Sequence, residues 1–256
     1  MSEEIVFEQP INERIRTFLR LEHLFSQFQL HLQHDSPWDT HSAIKAILDI
    51  LSMVSRGDIK RETIKELERH HTSLQSFIEI PNIDHSQLTQ MISQQEDCLK
   101  SLHNTAGNIG QSLQQNELLS AIRQRQTVPG GLCDFDLPVY AHWLHQAYEN
   151  RKILLCEWFE EFEVLKKAIE LILKVIREST EAHHSDAENG FYQQNIDTAQ
   201  NCLLIRVTLP IDANIFPEIS AGKHRFSIRF LKSGNPAQRS EQVTENIDFK
   251  LTCCTV

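Results

Sequence analysis

Between residues 151 and 179 the apolar side chains keep a seven-residue beat: Leu155, Phe162, Ile169 and Ile176 stand seven apart, and Trp158, Leu165 and Ile172 fill the positions between. Only a helix brings such a set to one side. At 1.5 Å rise per residue the segment is roughly 43 Å long, enough to be the spine of a helix bundle or of a dimer. Flanking Phe159, Leu173 and Val175 make the stripe wider than a coiled-coil seam, which favours a core within one chain.

The chain before this spine also reads as helices. From Asn12 to about His34, Ile15, Phe18, Leu19, Phe25, Phe28 and Leu32 recur at spacings of three, four and their sums, with Asn12 placed to cap the first turn. "SPWDT" reads as an interruption before a second helix over Thr40 to Val54. Gly57 then stops that helix and Asp58 caps a third over 59–79. Asp84 with Gln87 three residues on has the form of a capping box for a helix over 85–103. Shorter helices are predicted at 115–125 and 137–147, on either side of a turn at Pro129-Gly130-Gly131.

After the polar stretch "STEAHHSDAENG", read as a linker, the period changes from helical to two. In "CLLIRVTLP" Leu203, Ile205, Val207 and Leu209 share one face and Leu204, Arg206 and Thr208 the other. "RFSIRFL" alternates Arg225, Ser227 and Arg229 against Phe226, Ile228 and Phe230, and "NIDFKLTC" sets Ile247, Phe249 and Leu251 against Asp248, Lys250 and Thr252. These are three antiparallel strands, and "EIVFE" near the start is a fourth that returns to the same sheet. Helices and strands are segregated along the chain, so the fold class is α+β: a multi-helix domain over 10–180, with an extended insertion near 126–136, and a smaller β domain over 185–256 joined by the strand at 4–8.

Charge limits the partners. The formal net charge is −10, yet residues 200–256 hold 7 Lys and Arg against 5 Asp and Glu. A nucleic-acid backbone would be repelled by most of such a surface, which leaves a local anionic ligand at the basic end. No apolar run approaches a membrane span, and "MSEEIVFEQP" has neither the basic flank nor the apolar core of a signal peptide, so a cytoplasmic protein is expected. Six irregularly spaced cysteines without a CxxC pair are expected as free thiols there.

Motifs for catalysis are weak. His142 and His145 share a helix face in "HWLH" but no third ligand stands at a metal spacing, and a hydrolase using them with Cys133 would need one. The His70-His71 and His183-His184 pairs read as solvated. Neither a P-loop nor GxSxG occurs, and no cofactor is called for. The arginines say more. Arg16 and Arg20 share a helix face, and by alternation Arg206, Arg225, Arg229 and Lys250 all fall on the polar side of the strands against the single acid Asp248. Arginine's fork suits carboxylates. An RNA-binding adapter could use the same strands, but Phe226 and Phe230 lie opposite the cations, where they could not stack on bases.

"VFEQPINERIRTFLRLE", "ELLSAIRQRQTVPGGLCDFDLPVYAHWLH", "NGFYQQN", "ISAGKHRFSIRFL" and the terminal "DFKLTCC" occur in the same order along nearly the whole chain as in the ZapD family of cell-division proteins, which the sequence therefore resembles. The resemblance implies a cytoplasmic homodimer, recruited to midcell, that is not an enzyme and binds neither nucleic acid nor membrane. It implies capture of the C-terminal tail of the tubulin-like GTPase FtsZ and cross-linking of its filaments. The family's basic pocket carries over onto Arg16, Arg20, Arg225 and Arg229, with His145, Arg206 and Lys250 as further candidates. Two positions depart: Glu117 stands where the family has an arginine and Ala141 where it has a histidine.

Overall fold

The structure, a computed structural model, describes residues 3–78, 84–197, 201–234, 237 and 239–255. The chain divides into two units, one made of Met1–Thr17 with Leu173–Val256 and one of Phe18–Ile172. Together they contain eight α-helices and seven β-strands among the described residues, an α+β fold.

The helices start where side chains can cap them. In α1 (Glu13–His31) the Asn12 carboxamide oxygen accepts from the Ile15 N–H at 2.9 Å. Helix α2 (Pro37–Arg56) begins earlier than the sequence reading placed it, because Ser36 accepts from the Trp38 N–H and Pro37 occupies the first turn. "Ser-Pro" is thus a start signal rather than an interruption: the proline's missing N–H has no partner to lose there. Asp58 caps α3 (Ile59–Ser76), and Asp84 caps α4 (His85–Asn104) by accepting from Ser86 and Gln87. Residue 79, where the third helix was expected to end, lies outside the described residues. Short α5 (Gln111–Gln114), Asn116-capped α6 (Glu117–Arg125) and α7 (Pro138–Leu144) lead to the spine α8 (Tyr148–Glu178).

All seven heptad residues of α8 are buried within the single chain. Phe28 stacks on Phe159 with ring centroids 4.0 Å apart, and Phe25 and Phe162 meet Phe159 edge-on. Each fully buried ring of this kind stabilises by about 1.5–3 kcal/mol. Arg151, at the start of α8, is buried and donates from its two terminal nitrogens to Thr40 Oγ1 and to the Asp35 carbonyl, which offsets part of the cost of burying its charge.

His70 is not solvated as the sequence reading had it: its side chain is fully buried on α3 beside Glu66. His70 Nε2 lies 3.1 Å from the Arg69 guanidinium and 3.2 Å from Glu66 Oε1, between a donor and an acceptor. Burial lowers its pKa from the usual imidazole value, against the opposing pull of Glu66.

The strands form two sheets, not the single sheet expected. Strands β1 (Glu4–Pro10), β4 (Cys202–Pro210), β7 (Ile247–Thr255) and β2 (His183–Ala187) make one, in the order β1-β4-β7-β2. Strands β3 (Phe191–Asn195), β6 (Arg225–Lys232) and β5 (Ile215–Ala221) make the other, in the order β3-β6-β5. All pairs are antiparallel. Ile205, Val207, Leu209, Phe249 and Leu251 of the first sheet share one core with Phe226, Ile228 and Phe230 of the second, and the Phe230 and Phe249 rings lie 5.0 Å apart. A single sheet would have left these apolar faces uncovered, whereas stacking two sheets buries both.

The supposed linker is a strand and a turn. Asn189 and Gly190 have φ of 51° and 67°, and the Phe191 N–H donates to the Glu188 carbonyl at 3.0 Å, the geometry of a tight Asn-Gly hairpin turn. A Cβ on Gly190 would also sit 2.3 Å from the Val243 carbonyl oxygen, so both conformation and space demand glycine.

Candidate partner-binding face

Alternation along β6 is as the sequence predicts. Phe226, Ile228 and Phe230 are buried and Arg225 and Arg229 exposed. At about 3.3 Å per residue the two arginine Cα atoms stand about 13 Å apart on the outer face of the three-stranded sheet. Arg225 has no ion-pair partner among the described residues, and Arg229 has only a loose one, Glu218 on β5 at 3.7 Å with both side chains more than half exposed. Register brings Phe191, Gln193 and Asn195 of β3 opposite Arg229, Ser227 and Arg225, so all six share that face.

Arg206 and Lys250 are not on it. They belong to β4 and β7 of the other sheet, whose outer face points the opposite way across the shared core, so the four cations do not form one surface. They are also neutralised. Arg206 Nε donates to Glu8 Oε1 at 3.0 Å, and the same carboxylate takes two bonds from Arg177 at 2.8 and 2.7 Å. The three side chains are only 19–26% exposed, which makes this a partly desolvated network and not surface charge. Lys250 Nζ lies 2.8 Å from Glu4 Oε1. Both acids come from β1, so "four cations against one acid" fails because the pairing strand carries the missing carboxylates.

Arg16 and Arg20 lie one turn apart on α1. Arg16 pairs with Glu13 at 3.1 Å, while Arg20 is exposed without an ion-pair partner among the described residues. His145 closes α7 and donates from Nδ1 to the Ala141 carbonyl at 2.7 Å. It lines a groove of about 950 Å³ in the helical unit with Trp38, Phe135, Tyr140 and Leu144. Glu117 occupies the first turn of α6, where a carboxylate favours the helix dipole, and Ala141 is buried.

Lys223 and His224, not singled out from the sequence, stand beside Arg225. Gly222 N–H donates to the Arg225 carbonyl at 3.0 Å, closing the β5–β6 hairpin and leaving Lys223, His224 and Arg225 exposed together. The signal was the run "GKHR" beside a strand already read as cationic. Among the described residues no group of three His, Cys, Asp or Glu side chains is placed to hold a metal ion, and no helix is long and apolar enough to cross a membrane.

These features define an α+β protein whose β sandwich exposes a cationic face. A family model described as "ZapD: Cell division protein" matches residues 19–229. Similar curated proteins, each named cell division protein ZapD, come from Coxiella burnetii (40% identical over 253 residues, 98% of this chain and 98% of that one) and Methylococcus capsulatus (38% over 254 residues, 99% of each). Another, from an Enterobacter species, is 35% identical over 99% of this chain and 100% of its own. The chain belongs to the ZapD family of cell division proteins.

Proposed function

We propose that the protein serves cell division without catalysis, by binding the C-terminal tail of FtsZ and, as a cytoplasmic homodimer at midcell, cross-linking FtsZ filaments. The observation that carries this reading is the availability of Arg225 and Arg229, two exposed guanidinium groups not committed to strong internal pairs. Arg20, also exposed, and Arg16 are the helix residues assigned to the same partner. A tail that presents carboxylates beside apolar side chains matches this chemistry.

Magnitudes shape the proposal. An exposed arginine–carboxylate pair contributes about 0.2–1 kcal/mol, whereas even millimolar binding needs about 4 kcal/mol. Single-site capture is therefore modest, and two tails held by one dimer gain through effective concentration on a multivalent filament.

The test is fluorescence anisotropy of a labelled FtsZ tail peptide titrated with the protein at low and high ionic strength. Saturable binding that weakens with salt is expected. A folded protein that leaves the peptide free at low salt would overturn the reading.

A further inference from the structure

The arginines alone are too weak a dock, and the strand beside them supplies what they lack. Strand β3 is an edge strand, paired on one side by β6. The Phe230 N–H donates to the Gly190 carbonyl and the Ile196 N–H to the His224 carbonyl, which sets the phase of the ladder. In an antiparallel pair the main-chain groups alternate in direction, so those of Gln193 and Asn195 face away from β6. Their side chains, and that of Phe191, stand on the same face as Arg225 and Arg229. Phe191 is 41% exposed although it is a large aromatic residue in a strand.

The two edges of this sheet differ. Strand β5 carries Pro217, which has no N–H to offer, and the charged Glu218, both of which discourage a further strand. Strand β3, "FYQQN", has neither proline nor charge. An edge without proline or charge beside exposed guanidinium groups suits an extended anionic segment, since main-chain bonds would hold it while alternate side chains reach the cationic face.

We propose that β3 is the docking edge for an acidic peptide, which adds as a fourth strand of the β3-β6-β5 sheet. One apolar side chain of the peptide rests on Phe191, and its carboxylates reach toward Arg225 and Arg229. This rests on the tail-capture reading above and specifies its geometry; the occupant is an anionic peptide with an apolar residue among its acids. Asn189-Gly190 fixes the turn that delivers Phe191 to that place.

Amide hydrogen exchange on the wild-type protein, with and without saturating FtsZ tail peptide, reads the proposal directly. The amides of Gln193 and Asn195 should gain at least about tenfold protection while those of β5 do not change. In parallel, Phe191→Ala should weaken peptide binding about tenfold with an unchanged salt slope, and Gln193→Glu should weaken it by repulsion most strongly at low salt. Should Phe191→Ala lower the melting temperature, Gln193→Glu at an exposed position and the wild-type exchange pattern decide. Saturated binding without protection at residues 193 and 195 would overturn the docking edge and leave tail capture standing. Absence of wild-type binding would remove both. Displacement of the bound peptide by an oligouridine at equal concentration would make the face a nucleic-acid surface and overturn the proposal.

Discussion

Both outer faces of the β sandwich carry cations that look alike in sequence, yet only one face keeps them available. On the four-stranded sheet Arg206 shares the Glu8 carboxylate with Arg177, and Lys250 meets Glu4. On the three-stranded sheet Arg225 has no ion-pair partner among the described residues, and Arg229 touches Glu218 only at 3.7 Å. The difference lies in the neighbouring strand: β1 brings Glu4 and Glu8 to the first face, while β3 brings Phe191, Gln193 and Asn195 to the second. A cation's role in a sheet is set by what the register places beside it.

The largest expected effect tests the open face. Arg225→Glu combined with Arg229→Glu should weaken tail binding by more than about 100-fold, while unfolding free energy moves by no more than about 0.5 kcal/mol. Loss of helix content in that variant would instead make these arginines structural. On the closed face Glu8→Ala should do the reverse. Leaving Arg177 and Arg206 without their carboxylate should cost about 2–3 kcal/mol in urea denaturation, with tail affinity of the folded protein unchanged. Equal stability of Glu8→Ala and wild type would erase the distinction drawn between the faces.

Smaller changes refine it. Glu218→Gln removes the one acid that pairs with Arg229 among the described residues, and peptide affinity should rise about two- to fivefold at low salt. Lys250→Gln breaks an exposed pair with Glu4 and should shift neither stability by more than about 0.5 kcal/mol nor binding measurably. A loss of binding in Lys250→Gln would mean that the two faces act together.

Much of this arrangement could be read from residue spacing, and its limits have physical causes. Helix α8 and strands β4, β6 and β7 were legible because burial imposes a period on apolar residues, and Asn12, Asp58 and Asp84 marked helix starts because their carboxyl or carboxamide oxygens answer unpaired N–H groups. Strand β2, "HHSDA", has only Ala187 buried, so no alternation announced it, and the Asn-Gly turn beside it was lost among polar residues. Alternation tells which residues share a face but not which strand lies alongside. Hence Arg225 and Arg229 were assigned correctly to one exposed face, while Arg206 and Lys250 were grouped with them although Glu8 and Glu4 lay 198 and 246 residues away in the chain. His70 escaped for a related reason, since a histidine in a polar stretch gives no sign that it faces inward.

The position of β6 has a mechanical consequence. It is the central strand of its sheet, held by five residue pairs to β3 and seven to β5. A load applied to Arg225 and Arg229 along the strand would strain both ladders in shear, so their hydrogen bonds would share the force instead of parting one after another. Held in the middle of its sheet, β6 passes a load on its arginines to both neighbouring strands.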